Sequence, residues 1–139
     1  MGSVLSQSFV IKADLKEGNL YGILAGKKIV GAVVLDTNEN KRYQKLIWGD
    51  SNGKPVIIHR LGVHPLYQGK GYGKKLLQFA EDYALSNGYT SIRLDVFSKN
   101  PGAVNMYKRA GYKEIGIINF PVRAAPYRCF EKILGSGEI

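Results

Sequence analysis

A glycine-rich stretch between two segments of different hydrophobic periodicity constrains this chain more than any other feature. Residues 56–63 have the composition of a buried strand, and the helix predicted over residues 71–87 carries an apolar stripe of Leu76, Leu77, Ala80, Tyr83 and Ala84. Between them, Gly69, Gly71 and Gly73 permit sharp turns and close approach to the backbone N–H groups. The first turn of a helix has N–H donors without intrahelical partners and the positive end of the dipole. The junction therefore predicts a phosphate site.

The spacing of this stretch excludes two common phosphate loops. A Walker A loop needs Gly-x-x-x-x-Gly-Lys-[Ser/Thr], but Gly73-Lys74 is followed by Lys75. A dinucleotide loop needs Gly-x-Gly-x-x-Gly, and counting from Gly69 places Lys74 where the third glycine belongs. Lys70 adds further positive charge, so the stretch still favours an anion of another kind.

A third phosphate motif does fit. Gln68-x-x-Gly71-x-Gly73, preceded by Leu-Gly-Val-His-Pro at residues 61–65, resembles the [Arg/Gln]-x-x-Gly-x-[Gly/Ala] loop that binds the acetyl-CoA pyrophosphate in the GNAT superfamily of N-acetyltransferases. The motif stands between a predicted strand and a predicted helix, which is the context that such a loop requires.

A second segment carries the same resemblance. Asn100, Ala103 and Tyr107, followed by Gly111-Tyr112, match the GNAT pattern Asn-x-x-Ala-x-x-x-Tyr-x-x-x-Gly-[Phe/Tyr] on a helix. The two motifs occur in the order that the family has them, and with the neighbouring strands the resemblance covers about residues 20–134.

The order of the predicted elements indicates an α/β fold. Residues 20–25 and 29–35 form an antiparallel hairpin, and the strands over residues 56–63 and 91–97 are parallel because a helix connects them. The resemblance implies a GNAT-like mixed, mainly antiparallel central sheet with flanking helices and a parallel, splayed strand pair. We expect a single GNAT-like acetyltransferase domain over residues 1–139.

The segment ahead of the hairpin departs from the family pattern. Residues 6–17 are predicted to be helical or irregular, and the first strand that is usual in the family is expected to be missing. This shortened N-terminus leaves an exposed sheet edge, which a homodimer would cover.

The resemblance assigns acetyl-CoA as the co-substrate. Its pyrophosphate binds to the backbone N–H groups of the glycine-rich loop, and its pantetheine pairs with the preceding strand as an additional strand would. The cofactor-binding residues implied are Leu61, Gly62, Val63, Gln68, Gly69, Lys70, Gly71, Tyr72, Gly73, Lys74, Asn100, Ala103 and Tyr107.

Acetyl transfer to an amine requires a base for the amine and an acid for the departing thiolate. The resemblance implies that Tyr107 is the general acid. His59 alternates with Leu61 and Val63 along the strand, and histidine titrates near neutral pH, so it is the candidate base for direct attack in a ternary complex. His59 as a hydrogen-bonded core residue, and Asp95 or water as the base, are the alternatives.

The acceptor is a small-molecule amine or a protein amine. Five aromatic residues are candidates for lining its pocket, and the same side chains are equally candidates for the core: Tyr43, Trp48, Phe97, Phe120 and Tyr127. The connection over residues 36–55 that carries the first two is long for a small domain, which is typical of segments that serve a site.

Composition narrows the remaining classes. The net charge of +9 attracts polyanions, but the basic residues are scattered, so a nucleic-acid-binding domain ranks below an acetyltransferase and below a non-catalytic acyl-CoA-binding module. Cys129 is the only cysteine, which excludes an intramolecular disulfide and favours the cytoplasm. No apolar run is long enough for a membrane span, and no cluster of potential ligands predicts a metal.

Overall fold

The computed structural model describes residues 11–13 and 19–135, which divide into two compact units. The first unit consists of the chain up to Asp36 and of Ile58–Asp82. The second unit consists of Thr37–Ile57 and of the chain from Tyr83 onwards. The strands of the first unit lie in the order β1-β2-β3-β4, namely β1 (Ile11–Ala13), β2 (Leu20–Ala25), β3 (Lys28–Asp36) and β4 (Pro55–Val63). Residues 55–57 of β4 belong to the second unit.

Strands β2 and β3 form the predicted antiparallel hairpin. Leu20 lies opposite Val34 and Ala25 opposite Lys28, with a register shift between Ile23 and Leu24. A positive φ of 66° at Gly26 closes the turn, which is a conformation that glycine adopts without a steric penalty.

The structure corrects the prediction for the segment ahead of the hairpin. Residues 11–13 form β1, which pairs antiparallel with β2 and places Ile11 opposite Ile23. The prediction of helix or irregular chain is therefore wrong at these positions, because pairing with a sheet edge outweighs a weak local preference. The edge of β2 that we expected a second copy to cover is paired within the chain, and the rest of residues 6–17 lies outside the described residues.

The helix α1 (Tyr72–Ser86) follows the glycine-rich loop as predicted. The side chains of Leu76 and Ala80, from the predicted apolar stripe, are fully buried. Leu76 packs against β3 at Gly31, where an added Cβ would lie 3.0 Å from its Cδ1 atom and 3.1 Å from the carbonyl oxygen of Gly62. Glycine at this position lets the helix approach the sheet closely.

In the second unit the strand order is β4-β5-β7-β6, with β5 (Ser91–Phe97), β6 (Lys113–Ile118) and β7 (Tyr127–Ile133). Strand β7 is antiparallel to both β5 and β6. Just ahead of β4 and β5, the N–H of Thr90 donates to the carbonyl of Lys54 at 2.9 Å, so both strands start at the same edge and run parallel. This confirms the predicted mixed, mainly antiparallel sheet with one parallel pair.

The second helix, α2 (Pro101–Arg109), begins and ends as the sequence predicts. Pro101 occupies its first turn, where a missing N–H costs nothing. Beyond its C-terminal end, Gly111 has a φ of 93°, a left-handed conformation that favours glycine.

The connection between β3 and β4 contains a 3₁₀ helix (Lys41–Lys45) and is bound to the sheet by two buried charged side chains. The carboxylate of Glu131 on β7 accepts from the N–H groups of Gly49 and Asp50 at 2.8 and 3.0 Å. Arg93 on β5 donates to the carbonyl of Asp50 at 2.6 Å and to Glu39 at 2.5 Å. These bonds hold the long connection in place and leave Nε of Arg93 as a buried donor without a partner.

Candidate active site

The glycine-rich loop begins with a short turn that side chains stabilise at both ends. His64 caps the 3₁₀ turn Pro65–Tyr67, because its Nδ1 accepts from the N–H of Leu66 at 3.1 Å. After the turn, the side-chain amide of Gln68 donates to the carbonyl of Val63 at 3.1 Å. The loop is therefore anchored to the end of β4 before it reaches the glycines.

Gly69 and Gly71 have positive φ values of 80° and 86°, and a Cβ added to either would meet no atom within 4 Å. The backbone conformation, and not crowding, requires glycine there, so the loop surface is open to a ligand. The first bond of α1 runs from the N–H of Lys75 to the carbonyl of Gly71 at 3.1 Å. The N–H groups of residues 72–74 precede that bond and stand at the positive end of the helix.

The side chains around these N–H groups suit a phosphate. Lys70 and Lys74 are exposed, whereas the ring of Tyr72 is buried against Tyr67, with 6.2 Å between the ring centroids. Tyr72 can therefore contact a ligand of the loop only through its backbone N–H. Donors at a helix N-terminus with flanking ammonium groups form an anion site, and these residues fit the pyrophosphate of acetyl-CoA.

The strand before the loop offers its backbone on an open face. Gly62 is exposed, and a Cβ added to it would meet no atom within 4 Å. The side chains of Leu61 and Val63 are half-buried.

His59 is paired with a carboxylate that the sequence analysis did not identify. Its Nε2 lies 2.5 Å from Oδ1 of Asp36, the last residue of β3, and the His59 side chain is 33% exposed. Asn19 donates to the other carboxylate oxygen of Asp36 at 3.2 Å. This exposure excludes the alternative that His59 is a core residue.

An ionised carboxylate can only accept a hydrogen bond. Asp36 therefore places the ring proton of neutral His59 on Nε2 and leaves the lone pair on Nδ1. Nothing in the sequence pairs residues so far apart, because the contact depends on the register between neighbouring strands.

Tyr107 lies on α2 with its ring buried in the second unit. The ring contacts Tyr112 edge-on at 5.6 Å and Phe130 at 6.3 Å between centroids. Burial, together with the negative charge of Asp95, raises the pKa of the Tyr107 phenol above its ordinary value. The phenol is therefore a proton donor, and not a phenolate, at neutral pH.

The Tyr107 residue as a whole is only 5% exposed. Asn100, from the same motif, caps α2 by accepting from the N–H of Ala103 at 3.2 Å. Its side-chain oxygen therefore has a structural role at the start of the helix.

The aromatic residues considered for the acceptor pocket are mostly packed together. Tyr43 and Trp48 are 1% and 8% exposed and belong to a core cluster, against which the half-buried Phe120 and Tyr127 pack. The ring of Phe97 lies 5.3 Å from that of Tyr127. Tyr43 and Trp48 are thus core residues, which is the alternative that the sequence left open for them.

Asp95, the alternative base, accepts a hydrogen bond from the Tyr43 hydroxyl at 2.6 Å. Cys129 is fully buried, and burial with the charges of Asp95 and Glu114 raises the pKa of its thiol to about 12. A thiol in this environment is a poor nucleophile at neutral pH, which argues against an acyl-cysteine route.

No helix in residues 19–135 is long and apolar enough to cross a membrane. The same part of the chain contains no group of three or more His, Cys, Asp or Glu side chains arranged to hold a metal ion.

Comparison with known proteins identifies the family. The model of the Acetyltransferase (GNAT) family matches residues 4–112, which is most of the chain and includes both loop and helix motifs. The chain therefore belongs to the GNAT acetyltransferase family, as its motifs predicted.

Particular relatives agree with this assignment. The chain is 28% identical over 123 residues to the uncharacterized N-acetyltransferase YesJ of Bacillus subtilis, covering 88% of this chain and 65% of YesJ. It is 28% identical over 106 residues to the streptothricin acetyltransferase of Escherichia coli, covering 76% of this chain and 53% of that protein. The chain thus spans about half to two thirds of the length of these relatives.

A solved structure shares the fold. Arabidopsis thaliana Naa50, in complex with the bisubstrate analogue CoA-Ac-MVNAL, matches with a TM-score of 0.64 at 23% identity, covering 81% of this chain and 71% of that one.

Proposed function

We propose that this protein is an N-acetyltransferase that moves an acetyl group from acetyl-CoA directly to a primary amine. The observation that carries the proposal is the loop in which Gly69 and Gly71 take positive φ values immediately before α1. Family membership supports acetyl-CoA as the ligand of this loop. Because the family match includes residues of both units, we propose that residues 1–139 act as one acetyltransferase domain, with the cytoplasm as its compartment.

The loop and the preceding strand hold the co-substrate in this proposal. The backbone N–H groups of residues 68–74 bind the pyrophosphate, Lys70 and Lys74 add charge, and the backbone of residues 61–63 pairs with the pantetheine. When bound, acetyl-CoA supplies a thioester whose carbonyl carbon an amine can attack. Asn100 and Ala103 act mainly by setting the start of α2.

Two side chains move protons. His59 accepts a proton from the amine at Nδ1, and Asp36 keeps the opposite ring nitrogen protonated, so Asp36 is a positioning residue. Tyr107 donates its hydroxyl proton to the thiolate sulfur as the carbon–sulfur bond breaks. The new carbon–nitrogen bond replaces the carbon–sulfur bond, and the products are an N-acetyl amine and the free thiol of CoA.

The acceptor is a primary amine on a small molecule or a protein. Streptothricin acetyltransferase and the peptide-containing analogue bound to Naa50 represent these two classes among the relatives. An amine with an apolar portion suits the half-buried Phe97, Phe120 and Tyr127.

Ligand-induced stabilisation tests the co-substrate directly. Acetyl-CoA should raise the melting temperature by mass action, and ATP and NAD at the same concentration should raise it much less. An equal effect of all three ligands, or none with acetyl-CoA, would contradict the assignment of the loop.

A further inference from the structure

A second candidate binding site lies within the second unit, between the 3₁₀ helix Lys41–Lys45 and the end of β6. It is a surface pocket of about 190 Å³. The pocket combines positive charge with an apolar wall and is lined by Arg42, Lys45, Leu46, Ile117, Ile118 and Asn119.

The guanidinium of Arg42 is held in one orientation. Its Nε donates to the backbone carbonyl of Asn119 at 2.8 Å, and its Cζ lies 4.9 Å from the centroid of the Phe120 ring. The backbone N–H of Arg42 also donates to the side chain of Asn40 at 2.8 Å, which fixes the start of the 3₁₀ helix. A guanidinium held through Nε keeps its two terminal nitrogens for a planar anion.

The described carboxylates of this unit are engaged by other groups. Within the described part of the second unit, every acidic residue has a partner other than Arg42 or Lys45, in the pairs Glu39–Arg93, Asp50–Thr90, Asp95–Tyr43, Glu114–Arg128 and Glu131–Gly49. The salt bridges of the described residues, His59–Asp36, Arg93–Glu39 and Arg128–Glu114, do not involve the two basic side chains that line the pocket. The positive charge of these two side chains attracts an anion from solution.

The other wall of the pocket selects for an apolar group. Ile117 on β6 is 53% exposed, and Leu46 and the buried Ile118 extend the apolar surface. Inorganic phosphate alone would leave this surface in contact with water. An anion with an attached aliphatic group satisfies both the charge and the apolar wall.

We propose that this pocket binds a small organic carboxylate. The carboxylate pairs with the terminal nitrogens of Arg42 and with the ammonium of Lys45, and a short branched aliphatic group covers Ile117. The volume is about that of six water molecules, which suits a ligand of this size. The site goes beyond the proposed acetyl transfer and does not depend on it.

A binding titration with 4-methylpentanoate tests the site. NMR titration of the full chain should give saturable shifts at residues 117–119, and acetate and the neutral 4-methylpentanamide should each bind at least tenfold more weakly. Leucine, which carries the same carboxylate next to an ammonium group, separates the two sources of the ligand. Binding as tight as that of 4-methylpentanoate indicates an amino-acid-like compound, and binding at least tenfold weaker indicates a simple acid.

Matched variants separate the pocket from the general positive charge. Arg42→Gln should weaken 4-methylpentanoate binding at least tenfold, whereas Lys41→Gln removes the charge of an exposed neighbour that does not line the pocket and should leave binding unchanged. If loss of Arg42 lowers the melting temperature, Ile117→Glu provides a second test at an exposed position, and its added negative charge should abolish binding. Equal binding of the carboxylate and the amide, equal effects of the two glutamine variants, or the absence of saturable binding would each overturn the proposal.

Discussion

The Nε2 atom of His59 lies 2.5 Å from Oδ1 of Asp36, which joins the middle of β4 to the last residue of β3. The same carboxylate accepts from Asn19, so its orientation is fixed by two donors. Under the proposed mechanism, this pair determines which nitrogen of His59 accepts the proton of the amine.

Replacing either member of this pair should change the pH dependence of turnover. His59→Gln keeps a hydrogen-bonding group but no base, so its rate should be low at neutral pH and should recover as pH rises and the amine loses its proton without help. Asp36→Asn should lower the rate by about tenfold, and adding it to His59→Gln should cause little further loss, because the two residues act through one proton.

Pre-steady-state rates between pH 6 and pH 10, measured for the parent, both single variants and the double variant, check this expectation. If His59→Gln follows the parent at every pH, then another group or water takes the proton.

Tyr107→Phe should lose turnover and keep binding. The variant retains the ring that packs against Tyr112 and Phe130 and removes only the hydroxyl. We expect about a 10²-fold lower kcat, the usual scale for removing a general acid, with an unchanged Kd for acetyl-CoA. Raising the pH should give no recovery, in contrast to His59→Gln. Full turnover under conditions where chemistry is rate-limiting would assign Tyr107 to packing alone.

The raised pKa of Tyr107 also predicts how stability changes at alkaline pH. Because the folded pKa lies above the ordinary value near 10, the phenol of the unfolded chain ionises first, and stability is lost as pH rises above that value. Tyr107→Phe lacks this ionisation. Its free energy of unfolding relative to the parent should therefore increase by about 1 kcal/mol between pH 9 and pH 11 in urea titrations. A difference that stays constant over this range would show that the phenol titrates alike in both states.

Gly71→Ala and Gly88→Ala form a matched pair of substitutions at the two ends of α1. Both glycines have positive φ values, 86° and 79°, and an added Cβ would meet no atom within 4 Å at either. Each change should cost about 1–2 kcal/mol of stability from the left-handed conformation. Only Gly71→Ala should also weaken acetyl-CoA binding, as measured by calorimetry, because under the proposed function only that loop holds the pyrophosphate. Equal affinities of the two variants would place the phosphate elsewhere.

Much of the fold follows from local sequence signals. Gly26 marks the hairpin turn, Pro101 and Gly111 bound α2, and the alternation from Ser91 to Phe97 gives β5 its observed limits. Such signals act within a few residues of the chain, so they can be read without the tertiary structure. The strand at residues 11–13 was missed because its main determinant is the edge of β2, which lies elsewhere in the sequence.

The candidate site was predictable only where a motif defines it. The loop glycines and Tyr107 belong to local patterns, whereas Asp36 meets His59 only through the register of two strands. For Tyr43 the sequence suggested a functional role, because an aromatic ring in a long connection is a candidate for a ligand pocket. Its ring is instead buried, and its hydroxyl pairs with Asp95, a partner 52 residues away.

The most direct measurement is amine-dependent release of free CoA thiol from acetyl-CoA across a library of primary amines, with the parent and Tyr107→Phe assayed side by side. The account predicts that at least one amine accelerates thiol release above the rate of hydrolysis and is converted to its N-acetyl derivative. With Tyr107→Phe, this amine-dependent release should be about 10²-fold slower. Stabilisation by acetyl-CoA without release by any amine would contradict acetyl transfer and identify a non-catalytic acyl-CoA-binding module.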